Sequence, residues 1–112
     1  MDTEPWYSAR CVFRQTGFRT GSDAAVYEER IVLLRADSFE SATRKAEQEA
    51  GAYTSESVED LGFVDVYHLC EAVVGDGSEV FSLMRTSEIG PEEYNTRFFD
   101  TGSERCRRDE VS

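Results

Sequence analysis

The single histidine, His68, is the side chain in this sequence best suited to acid–base or metal chemistry near neutral pH. It lies between Val66 and Cys70 in an alternating stretch, on the side that carries the apolar residues. A catalytic base or a metal ligand needs partner side chains, and only Cys70 is close in the sequence. We therefore interpret His68 as a histidine packed against the core or its rim.

The carboxylates give no clearer catalytic pattern. Glu28 and Glu29 are adjacent in a strand-like stretch, so their side chains point to opposite faces of the strand. Without a bulge they cannot act together on one substrate, and we expect one of them to face Arg10 or Arg30 across a sheet.

A nuclease site would combine Asp65 and Glu71 with a lysine, but the only lysine, Lys45, lies on the predicted solvent side of a helix. A carboxylate cluster contributed by several strands stays open at this point. The stretch Gly75-Asp-Gly77 is not a phosphate loop, because it lacks the following helix and basic residue. We predict no catalytic residue, no metal and no cofactor.

The three cysteines, Cys11, Cys70 and Cys106, are odd in number and show no Cys-x-x-Cys spacing. Disulfide frameworks and zinc sites need paired spacings, so the sequence argues against both. Cys11 and Cys70 fall in strand-like stretches, where a free cysteine acts as a small hydrophobic residue.

The charge balance limits the class of partner. The chain carries 23 acidic and 12 basic residues, for a net charge of −11. Such a surface repels phosphate backbones, so we predict no nucleic-acid partner. Acidity serves solubility, or it attracts a basic protein partner, and the sequence leaves both interpretations open. Because there is no long apolar run, we expect a cytoplasmic protein without membrane association.

Two strands are predicted in the first third of the chain. Residues 6–14 alternate, with Tyr7, Ala9, Cys11 and Phe13 on one face and Trp6, Ser8, Arg10, Val12 and Arg14 on the other. Residues 26–35 contain a run, Ile31 to Leu34, that is apolar on both faces. We therefore expect this second strand to be central in the sheet and covered on both sides.

A second pair of strands is predicted within residues 61–85. Asp76-Gly77 is a strong hairpin signal, so we expect a two-residue turn with positive φ at both positions and Val73 facing Val80.

Two helices are predicted. The first begins near Asp37, which can cap it, and its apolar stripe runs from Phe39 to Tyr53. Gly51 lies near its end, where a left-handed residue is common. The second begins with Gly90 as cap and Pro91 as the first helical residue.

The predicted fold is α+β, in the order ββαββα, with a four-stranded antiparallel sheet and two helices packed on one face. We expect a flexible leader over residues 1–5, a single domain over 6–100 and a charged flexible tail over 101–112. The other face of the sheet then lacks a helix. Its predicted residues are too apolar to suit water and are the candidate binding site: Trp6, Arg10, Phe63, Asp65, Tyr67, Leu69 and Glu71.

Five stretches resemble the family known as domain of unknown function 4288, which consists of small bacterial proteins. They are residues 6–14, 27–36, 61–69, 75–83 and 97–105. The resemblance implies a bacterial origin and an uncharacterised role, and it brings no catalytic residue.

We interpret the protein as a non-catalytic acidic module for protein interaction or regulation. Its helix-free sheet face would support a homodimer or bind a protein partner, including a basic one in an immunity or antitoxin-like role. The alternative is a small enzyme or ligand-binding protein. Its pocket would use Arg10, Glu28, Asp65, Tyr67 and His68.

Overall fold

The computed structural model describes residues 4–18, 24–70 and 72–104. The first helix and the strands are β1 (Trp6–Gln15), β2 (Val26–Arg35), α1 (Phe39–Tyr53) and β3 (Val58–His68). A short helix α2 (Pro91–Tyr94) continues into a π-helical turn (Asn95–Phe99). Contacts divide the chain into two compact units, one ending at Ser82 and the next beginning at Leu83. The fold is α+β with an antiparallel sheet, as predicted.

The sheet has three strands in the order β2-β1-β3, so β1 is the central strand. Both neighbours run antiparallel to β1, and the β1–β2 ladder extends from Trp6 opposite Arg35 to Gln15 opposite Val26. The prediction that β2 is central and covered on both faces is therefore wrong. Its double-sided apolar run lies on an edge strand, and α1 covers only one face of the sheet.

The core lies between α1 and one face of the sheet. The predicted inward row of β1, Tyr7, Ala9, Cys11 and Phe13, is buried. The helix contributes three fully buried alanines, Ala42, Ala46 and Ala50. Because alanine side chains are short, the helix backbone can approach the strands closely. Val64 and Val66 of β3 complete the two clusters of the core.

The boundaries of α1 differ slightly from prediction. Ser38, not Asp37, caps the helix, since its hydroxyl accepts the Ser41 amide N–H at 3.0 Å. The helix ends at Tyr53, the last residue of the predicted apolar stripe, and Gly51 is helical and not left-handed. Thr54 then closes it, because its hydroxyl donates to the Gly51 carbonyl at 2.7 Å.

The predicted fourth strand does not form, and residues 72–90 contain no strand. A turn is present, since the Ser78 amide donates to the Gly75 carbonyl at 3.0 Å. Gly77 has a φ of 82°, but no described non-glycine residue, Asp76 included, has a positive φ. Positive φ at only the second central position is typical of a type II turn. That turn splays the flanking segments, whereas a two-residue hairpin needs a type I′ or II′ turn, so Val73 and Val80 do not pair as ladder partners.

The second unit begins at Leu83 and contains α2, which starts as predicted with Gly90 as cap and Pro91 in the first turn. The rings of Tyr94 and Phe98 pack at 4.9 Å between centroids, and the Arg85 guanidinium lies 4.6 Å from the Phe98 ring. The placement of α2 on the same sheet face as α1 stays a prediction. So does the domain division, whose leader and tail include residues 1–3 and 105–112, outside the described residues.

Candidate functional site: the helix-free face of the sheet

The helix-free face is formed by the β1 residues that alternate away from α1, together with their neighbours on both edge strands. Strand pairing places Leu33 and Tyr67 beside Ser8, and Ile31 and Asp65 beside Arg10. The remaining members of this face are Trp6, Val12, Arg14, Tyr27, Glu29, Arg35, Glu59 and Phe63.

A row of charges crosses this face. Arg10 lies between two carboxylates, with Nη1 at 3.4 Å from Glu29 Oε1 and Nη2 at 2.6 Å from Asp65 Oδ2. Arg14 binds Glu59 Oε1 through Nε at 2.9 Å and Nη2 at 2.6 Å. The predicted pairing of Glu28 or Glu29 with an arginine is thus met by Glu29 and Arg10. Both arginines are paired with carboxylates of the same chain, so these charges align the strands and do not by themselves indicate a charged binding site.

Part of the helix-free face is covered by the chain itself. After the Gly75–Ser78 turn, residues 79–82 lie over β1 and β3, and we call this segment the strap. The Phe81 ring lies 6.0 Å from the Tyr67 ring and 5.0 Å from the Arg10 guanidinium. The Tyr67 hydroxyl donates a hydrogen bond to the Glu79 carboxylate. The residues predicted to form a fourth strand therefore pack on the sheet instead of extending it.

The contact with Glu79 changes the pKa of Tyr67. The hydrogen bond to the Glu79 carboxylate, assisted by burial, raises the pKa of Tyr67 to about 12. A phenolate at this position would lose the hydrogen bond and face a carboxylate. The strap is therefore held by a tyrosine that stays protonated throughout the neutral range.

The rest of the face is open and apolar. On β2 the exposed fractions are 58% for Tyr27, 44% for Ile31 and 40% for Leu33, and on β3 Phe63 is 63% exposed. The β2 residues were missed because the Ile31–Leu34 run was interpreted as buried on both sides. A signal was present, since the same alternating row also contains Glu29 and Arg35, and a buried row rarely carries two charges.

The seven predicted binding residues lie in different environments. The Trp6 ring lies 4.5 Å from the Arg35 guanidinium, and Leu69 is buried, with 2% of its surface exposed. Arg10 and Tyr67 contact the strap, and Asp65 is paired with Arg10. Phe63 alone among the seven is a largely exposed apolar side chain. Glu71 lies outside the described residues.

The sequence matches the family described as domain of unknown function (DUF4288) over residues 6–82. The chain belongs to this family. The matched region begins with the first residue of β1 and ends with the last residue of the first compact unit, so it comprises the sheet, α1 and the strap. The similar stretch at residues 97–105 lies outside the match. No curated protein and no solved structure gave a significant match.

The pocket of the enzyme alternative would need side chains from both faces of the DUF4288 sheet. Glu28 points toward α1 and accepts hydrogen bonds at 2.8 Å from both the Tyr53 hydroxyl and Gln15 Nε2. His68 lies opposite Tyr7, and its ring packs 5.1 Å from the Tyr7 ring and 6.2 Å from the Phe39 ring. Arg10, Asp65 and Tyr67 occupy the helix-free face. The sheet separates the two groups, so they do not line one pocket.

The cysteines and carboxylates of the described part of the DUF4288 protein form no group of three or more that could hold a metal ion. Cys11 and Cys70 are free thiols, and Cys106 lies outside the described residues. Burial, followed by the nearby carboxylates of Asp60 and Glu49, raises the pKa of the Cys11 thiol. A protonated, buried thiol is a poor nucleophile. No helix within the described ranges has the length and apolar character needed to cross a membrane.

Proposed function

We propose that this DUF4288 protein is a non-catalytic, acidic module for protein interaction or regulation that acts through the open part of its helix-free face. The observation that carries this proposal is the row of exposed apolar side chains: Tyr27, Ile31, Leu33 and Phe63. Exposed apolar side chains concentrated on one face of a small domain favour association, because leaving them in water is unfavourable.

The nature of the partner follows from charge and symmetry. A net charge of −11 repels nucleic acid and attracts basic protein surfaces, which supports an immunity or antitoxin-like role. Arg10 and Arg14 of the face are already paired with carboxylates, so apolar contact adds to the attraction. A second copy of the chain is the other partner that this surface fits. We place the protein in the bacterial cytoplasm as part of this proposal.

Light scattering behind a sizing column tests self-association. We expect the wild-type mass to rise above that of one chain with concentration, and Ile31→Glu to weaken this association at least tenfold. Val73→Glu is the matched control, because Val73 is 75% exposed but belongs to no strand.

A monomer at every concentration would rule out self-association. The proposed module would then need a different protein partner, whose binding Ile31→Glu must abolish and Val73→Glu must preserve. Equal loss with both variants would contradict the assignment of this face.

A further inference from the structure

The strand β2 lies at an edge of the sheet. One side of its backbone pairs with β1, and no other strand within residues 4–18, 24–70 and 72–104 pairs with its outer side. The helix α1 packs more extensively on β3 than on β2, so it leans away from this edge. A ten-residue edge strand whose outer side pairs with no described strand invites the addition of another strand.

The residues of β2 complement themselves when the strand is paired antiparallel with a copy of itself. In the register centred on Val32, Ile31 lies opposite Leu33 of the second copy. In the same register Glu29, which lies 3.4 Å from Arg10 within its own chain, faces Arg35 of the second copy, so opposite charges meet on each side of the apolar centre. Two-fold symmetry repeats both contacts, which doubles their contribution to the free energy of dimerisation.

Two other registers that keep both copies of α1 on the same side of the joined sheet give less favourable side-chain pairs. Centring the pairing on Ile31 would place Glu29 opposite Leu33, a charge against an apolar side chain. Centring it on Arg30 would place Glu29 opposite Ile31 and bring two copies of Arg30 together. Only the Val32 register of these three matches charge with opposite charge and apolar with apolar.

The exposure of Ile31 and Leu33 also fits the register centred on Val32. Ile31 and Leu33 are 44% and 40% exposed in one chain, and both would be flanked by apolar neighbours across the new strand pair. The open faces of two chains would also become continuous, because both copies of α1 lie on the other side of the joined sheet.

We infer that β2 is a homodimerisation edge, which joins two three-stranded sheets into one six-stranded antiparallel sheet with Val32 at the two-fold axis. This inference rests on the proposed interaction function and names its partner as a second copy of the chain. It places the contact at the strand edge, whereas the proposed function requires only the exposed face.

A charge exchange tests the register. Glu29→Arg and Arg35→Glu should each raise the dimer dissociation constant about tenfold, because each creates two like-charge contacts. The double variant restores both pairs with reversed polarity and should return the constant to within about twofold of wild type. Glu59→Arg is the matched control. Glu59 lies on the opposite edge strand β3, and its replacement breaks the ion pair with Arg14 but should leave the dimer unchanged.

A disulfide provides an independent test. Opposite residues in an antiparallel pair have a Cα separation of about 4.5–5.5 Å, which lies within the range of about 4.4–6.8 Å found for disulfides. In a Cys70→Ser, Cys106→Ser background, Val32→Cys should form a covalent dimer under mild oxidation, and Glu59→Cys should not. Circular dichroism checks that each variant is folded. If Val32→Cys does not fold, the charge exchange alone tests the register.

The outcomes separate this inference from the proposed function. If Phe63→Glu dissociates the dimer and the double charge variant does not restore it, the proposed register at the β2 edge is wrong. The proposal of an interaction face would then remain. A monomeric wild type would overturn the inference, and the proposed function would then depend on a different protein. Rescue together with the covalent dimer supports the edge.

Discussion

Gly62 interrupts β3 with a backbone conformation that other residues rarely adopt. Its φ is 81°, and it lies where the β1–β3 register shifts between the pairs of Cys11 and Phe13. The Gly62 amide donates to Asp60 Oδ1 at 2.9 Å, which fixes the bulge locally. The bulge allows Val64 and Val58 both to reach the core on either side of it.

Gly62→Ala should lower the free energy of unfolding by about 1–2 kcal/mol, because a side chain is strained at this φ. No atom lies within 4 Å of the added Cβ, so backbone strain is the cause. Gly51→Ala should instead raise stability by roughly 0.5–1 kcal/mol, since Gly51 is helical and its added Cβ meets nothing. Urea denaturation of both variants measures this, and a shift of the same sign in the two would contradict the assignment.

Single residues were predictable where only alternation decides their position. The buried row of β1 and the opposite orientations of Glu28 and Glu29 follow from the two-residue period of a strand. The φ of Asp76 was not predictable in this way. Asp-Gly fits several turn types, and the choice depends on where the following segment packs.

The strap shows at the level of elements why the fourth strand was mispredicted. The spacing of Glu79 and Phe81 suits a strand, but it suits equally a segment that directs both side chains onto an existing sheet. The contacts that decide between these are long-range, from Phe81 to Arg10 and from Glu79 to Tyr67. A local pattern does not contain them. The edge position of β2 was missed for the same reason, because strand order depends on the pairing of β1 with β3.

Alkaline titration should release the strap. A pKa raised to about 12 in Tyr67 means that its contact with Glu79 stabilises the fold fully below the ordinary tyrosine pKa of about 10. That stabilisation is lost as the pH rises from about 10 to about 12. Ultraviolet tyrosinate absorbance follows the ionisation, with Tyr67→Phe identifying the signal of Tyr67.

Glu79→Gln should move the pKa of Tyr67 back toward about 10 and remove the extra loss of stability in this window. Glu88→Gln is a matched control with an exposed carboxylate outside the strap. An unchanged titration curve in Glu79→Gln would show that Glu79 does not hold the tyrosine.

At the scale of the whole molecule, two independent boundaries coincide. The family match and the first compact unit both end at Ser82, directly after the strap. The α+β class and the antiparallel sheet were predictable because amphipathic periods and caps are local signals. A boundary at Ser82 was not, since the predicted fourth strand ran through it.

A chain ending at Ser82 should therefore fold on its own, with a near-ultraviolet circular dichroism spectrum like that of the same region in the full protein. Its thermal midpoint should fall by no more than a few degrees, equivalent to roughly 1 kcal/mol. A chain ending at Gly77 lacks the strap and should be less stable and bind more of a dye specific for apolar surface. Equal stability of the two truncated chains would show that the strap contributes nothing.

The strand order β2-β1-β3 has a consequence for biosynthesis. The central strand β1 leaves the ribosome first, yet both of its edges are filled by segments made later. A β1–β2 hairpin can form early because its partners are close along the chain, whereas β3 must wait until α1 has been translated. During that interval the nascent chain presents an unpaired edge of β1 and the apolar side chains of Tyr7 and Phe13, so this is the stage at which a chaperone would protect it.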